Sequence, residues 1–81
     1  MEEYVKNYFD AEYNLLLDTL ESNPAWLNVN EACDNAIQRC LGVVQFADMY
    51  SDDFLSFGVI IALYEEVRGK IEKFRLSFSM L

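Results

Sequence analysis

The side chains that could do chemistry in this chain are two thiols, Cys33 and Cys40, and fourteen carboxylates, with no histidine among its 81 residues. Without imidazole the commonest general base is missing, and so are the Ser-His and Cys-His pairings that activate a nucleophile. A carboxylate-bridged di-iron bundle is excluded for the same reason, because it needs Glu-x-x-His motifs. The thiols stand seven residues apart, about 10.5 Å along a helix at 1.5 Å per residue, which is too far for a disulfide. Zinc would need carboxylates on the same face to complete four ligands, and no CxxC spacing points to it. Cys33 and Cys40 therefore read as reduced thiols packed like small apolar groups. Gly42, Gly58 and Gly69 are isolated rather than gathered into a phosphate loop. Each lies in a predicted helix, at a cost of about 1 kcal/mol relative to Ala, and close packing is the expected reason. The expectation is a protein that is not an enzyme and takes no metal and no other cofactor.

The carboxylates are more informative. Glu12 projects from the apolar stripe of its helix, where an unpaired charge would cost several kcal/mol. If the first two helices form an antiparallel hairpin turning at 23–28, Glu12 meets the second helix near residues 37–40. Arg39 is then its natural partner, and the alternative is a Glu12 that reaches water. Glu3, Asp10, Asp18 and Glu21 fall instead on the outward face, a ridge with Lys6 as almost its sole base. Most charge runs are solvated faces. A merely solubilising face, however, usually mixes Lys with Glu. The sharper reading joins these residues with Asp34, Asp48, Asp52 and Asp53 into one anionic patch for a basic partner.

Three helices must position these groups. Val5, Tyr8, Phe9, Tyr13, Leu16 and Leu20 recur with helical spacing and predict a helix over about 2–22, which Ser22, Asn23 and Pro24 end. Asn28 with Glu31 has the form of a capping box, and Leu27 is placed to staple onto Ala32. The second helix follows over about 29–49, with Val29, Cys33, Ala36, Ile37, Cys40, Val44 and Ala47 inward. Ser51, Asp52 and Asp53 form an N-terminal signal for a third helix over about 52–75. Its core stripe is Phe57, Ile60, Leu63, Tyr64, Val67, Ile71 and Phe74, and Glu66 with Lys70, Glu65 with Arg68 and Glu72 with Arg75 are spaced to pair on it. Residues 76–81 either prolong this helix or fold back over it. The connections are short, so the fold class is all-α, a compact antiparallel three-helix bundle.

One face of the third helix is left over: Phe54, Leu55, Gly58, Ile61 and Ala62. Trp26, Leu27, Phe78, Met80 and Leu81 could cover it from within the chain, or a second copy could dimerise through it into a larger bundle.

Composition limits the partners. Fourteen acids against six bases give a net charge of −8, with eleven acids and two bases in residues 1–53. Direct binding to nucleic acid or to an anionic membrane is disfavoured, whereas a basic protein partner is attracted. The segment MEEYVKNYFDAEY lacks an apolar signal core and no run is long enough to span a bilayer, so a cytoplasmic location is expected. In size, charge and helical content the chain is similar to small stoichiometric inhibitors of nucleic-acid enzymes, including the anti-CRISPR and anti-restriction proteins carried by phages. The leading expectation is a protein-binding module whose anionic face occludes a basic, nucleic-acid-binding surface, with Tyr4, Tyr8, Tyr13 or Trp26 as aromatic anchors. The rival expectation is a homo-oligomeric assembly protein.

Overall fold

The structure, a computed structural model, describes residues 2–22, 28–50 and 54–79, and side chains within 3–22, 28–49 and 57–77. Three helices make it up: α1 (Glu2–Ser22), α2 (Val29–Tyr50) and α3 (Phe54–Ser79), with no strand among the described residues. Every helix packs against both others, in a rod of 45 × 18 × 17 Å. It is a three-helix bundle.

The core is built from the periodic positions of each helix. Phe9 and Leu20 of α1, Cys33, Ala36 and Cys40 of α2, and Ile60 and Ile71 of α3 are almost wholly excluded from solvent, and among the described residues no polar or charged one is buried with them. Small side chains on the α2 stripe allow the two longer-chained stripes of α1 and α3 to close around it. Phe9 meets Tyr64 edge to face at 6.5 Å, joining α1 to α3 at the same level. Asn28 caps α2: its side-chain oxygen accepts the Glu31 backbone N–H at 3.1 Å, satisfying one of the donors a helix start leaves open. The staple from Leu27 and the cap signal at Ser51, Asp52 and Asp53 lie outside the described residues.

Direction follows from the pairs across the seams. Along the α1–α2 seam Tyr4 and Tyr8 lie with Gly42 and Phe46, and Leu15 and Thr19 with Ala32 and Asn35, so α2 runs antiparallel to α1, and to α3, which lies parallel to α1. Phe9 beside Tyr64, with Tyr13 beside Lys70, makes α1 and α3 parallel.

Three details differ from the sequence reading. The third helix continues through Ser79, so residues 76–79 prolong it, while Met80 and Leu81 lie outside the described residues. Of the three pairs expected along α3, only Glu72 with Arg75 forms, at 3.4 Å; Lys70 instead lies 5.6 Å from the Tyr13 ring centroid, where the π face attracts its charge. The glycines are not packing devices among the described residues. A Cβ added at Gly42, Gly58 or Gly69 would meet nothing within 4 Å, and none has a positive φ.

Candidate partner-binding surfaces

The Glu12–Arg39 pair spans the α1–α2 seam, with Arg39 Nε donating to Glu12 Oε2 at 2.8 Å. Glu12 is the more enclosed partner, its side chain 12% exposed against 48% for Arg39. The hairpin register read from the turn thus places these two groups in contact. Because Arg39 keeps water on one side, the pair is worth less than a buried one, and Glu12→Gln is expected to lower stability by about 1 kcal/mol. A urea titration of E12Q, R39Q and the double variant measures the coupling; purely additive losses would mean the contact contributes nothing.

A second pair was not legible in the sequence. Arg75 Nη2 donates to Asp34 Oδ1 at 2.6 Å across the α2–α3 seam and lies 3.4 Å from Glu72. The bond to Asp34 holds the guanidinium charged, its pKa raised further. Both thiols sit beside these pairs. Burial pushes the Cys33 thiol up, with Arg75 pulling the other way. Burial, with Glu12 adding to it, pushes Cys40 up to about 11. Thiols held protonated in this way are poor nucleophiles and poor metal ligands. Among the described residues no group of three acidic or thiol side chains is arranged to hold a metal ion.

The acidic residues proposed for one patch are divided. Glu3, Asp10, Asp18 and Glu21 are all exposed on α1, within about 80° of one another at 100° per residue, and none forms a salt bridge with a described residue. Asp34 does not join them, being engaged by Arg75 at the opposite seam. Asp48, fourteen residues on, lies on the same side of α2 as Asp34. Asp52 and Asp53 lie outside the described residues. The ridge is therefore a property of α1 alone.

The aromatic anchors are divided too. Tyr4 is 71% exposed and, with half-buried Tyr8, lines a hollow of about 410 Å³ on the α1–α2 seam together with Arg39, Gly42, Val43 and Phe46. Burial raises the Tyr8 hydroxyl pKa and Glu12 raises it further. Tyr13 faces α3 under Lys70, and Trp26 lies outside the described residues. On α3, Gly58, Ile61 and Ala62 are exposed; Phe54 and Leu55 open the helix, their side chains outside the described set. No helix is long and apolar enough to cross a membrane among the described residues.

Comparison with protein-family models, with curated proteins and with solved structures finds no match to this chain.

Proposed function

We propose that this chain is a non-enzymatic protein-binding module, a stoichiometric inhibitor or adaptor that docks the α1 ridge on a basic, nucleic-acid-binding surface of another protein and occludes it. One contrast carries this reading. The carboxylates at the seams, Glu12, Asp34 and Glu72, are bonded to Arg39 and Arg75, whereas Glu3, Asp10, Asp18 and Glu21 are exposed and form no salt bridge with a described residue, although Asp10 shares a small hollow with Lys6 and Lys70. Two of the three arginines, Arg39 and Arg75, are engaged across the helix seams, and the exposed negative charge of α1 would steer association with an oppositely charged surface.

The test is capture from cells with the wild-type chain and with D10K/D18K/E21K, confirmed folded by circular dichroism. A partner with a basic surface should be held by the first and lost by the second, and added salt should weaken the complex steeply. A partner held equally by both, or one indifferent to salt, would overturn the reading.

A second reading has its own support. Gly58, Ile61 and Ala62 are exposed, and no described residue comes within 4 Å of a Cβ placed at Gly58, which leaves room for a second copy along α3. Mass in solution decides between them: a dimer dispersed by Gly58→Leu favours a homo-oligomeric assembly protein.

A further inference from the structure

The outward side of α3 carries two opposite charges that the bundle does not use. Glu65, Gly69 and Lys73 stand in one row at a spacing of four, all three exposed, with the glycine midway between the acid and the base. Glu65 and Lys73 form no salt bridge with a described residue, and Lys73 has no acid three or four positions away on its own helix. They cannot meet each other, being about 12 Å apart along the axis at 1.5 Å per residue. A Cβ added at Gly69 would meet nothing within 4 Å, so the middle of the row is open.

A row that reads acid, glycine, base is complementary to itself when turned end for end. The other two helices lack this property: residues 2–22 hold six acids against one base and 29–50 hold three against one, whereas 54–79 hold three acids and four bases. Two copies meeting through α1 or α2 would bring uncompensated carboxylates together. Through α3 they would not. Rows of this spacing also support the commonest mode of helix packing, with axes crossing near −50°, and a glycine at the crossing point lets the two backbones come close. Exposed Ala62 and the 63% exposed Leu76 lie seven positions to either side of Gly69, so the same reversal sets a short apolar side chain against a long one.

We infer that two copies of this chain meet across a two-fold axis at Gly69, their α3 helices running in opposite directions, with Glu65 of each copy facing Lys73 of the other. The inference rests on the homo-oligomeric reading and gives it a face, a direction and a register. It involves no residue of the α1 ridge, so each copy keeps its ridge for a basic partner. Contact along one helix is at the small end for a specific interface, and the association is a reversible one.

Charge exchange tests it, because both residues are exposed and neither substitution touches the core. Sedimentation equilibrium of the full chain over a concentration series should show monomer and dimer exchanging. Glu65→Lys puts like charges at both contacts, as does Lys73→Glu, and each variant alone should dimerise at least tenfold more weakly with its helical spectrum unchanged. Glu65→Lys lowers the net negative charge, so overall repulsion cannot account for its loss. Mixed in equal amounts, the two variants regain both opposite-charge contacts and should form a heterodimer as tight as the wild-type dimer. Gly69→Leu should weaken the wild-type dimer at least tenfold by holding the helices apart. A dimer that Gly58→Leu disperses but both charge variants leave intact would overturn this register while the homo-oligomeric reading stands. Weakened variants that do not recover on mixing would overturn the Glu65 to Lys73 contact, and a chain that stays monomeric at every concentration would overturn both the inference and the reading beneath it.

Discussion

Phe9→Ala is expected to bring the bundle close to unfolding at room temperature, with a loss of about 3 to 5 kcal/mol. Phe9 is 2% exposed and packs edge to face with Tyr8 at 6.3 Å and with Tyr64 at 6.5 Å. Truncation removes the ring from water-excluded surroundings and leaves a cavity that three helices cannot all close. For a chain of 81 residues, total stability is on the order of 4 to 12 kcal/mol, so one side chain accounts for a large part of it. Urea unfolding followed by far-ultraviolet circular dichroism measures the loss. Leu15→Ala is the control, since Leu15 is 57% exposed and its truncation should change stability by no more than about 0.5 kcal/mol. Similar losses in the two variants would mean that Phe9 is not at the centre of the core.

The second large effect is on pH. The Cys40 thiol is fully buried and its pKa is pushed from 9.0 up to about 11, by desolvation first and by neighbouring Glu12 second, with Arg39 opposing. A group whose proton is held more tightly in the folded chain stabilises that chain below its unfolded pKa and loses the contribution as pH climbs through the folded one. Between about pH 9 and pH 11 the unfolded chain has released the proton and the native chain has not. Stability therefore falls across that window, by about 2 to 3 kcal/mol for this thiol alone at 1.36 kcal/mol per unit. Cys33 and Tyr8 are raised in the same direction by burial and steepen the decline. Urea midpoints at pH 8, 9.5 and 11 should drop for the wild type and drop distinctly less for Cys40→Ala, whose stability at pH 8 is lower to begin with. An identical pH slope in the two proteins would show that Cys40 does not titrate in this way.

Much of the fold was legible because periodicity alone decides which side of a long helix is apolar. Val5, Phe9, Leu16 and Leu20, and their counterparts on the other two helices, are buried where their spacing puts them. The Glu12–Arg39 contact was legible too, since a short turn sets the register of a hairpin within a residue or two. Asp34 with Arg75 was not. The partners are forty-one positions apart, and their meeting depends on how α3 is rotated and how far it runs, which no local pattern states. Arg75 also had a nearer candidate in Glu72, and it keeps both. The seam hollow was missed for a related reason: Gly42 and Phe46 look unremarkable until α1 is placed beside them. The available signal was the flank Asn35, Arg39, Gly42, Val43 and Phe46, a line down α2 with one charge in it.

The up-down-up order has a practical side. The first turn of α1 and the last turn of α2 share one end of a rod 45 Å long, while α3 finishes at the other. A fluorophore, affinity handle or surface tether joined ahead of α1 would hang over the mouth formed by Tyr4 and Phe46 and shade it. The same attachment after α3 would stand a rod's length away, so immobilising the molecule by its tail leaves that mouth facing the solution.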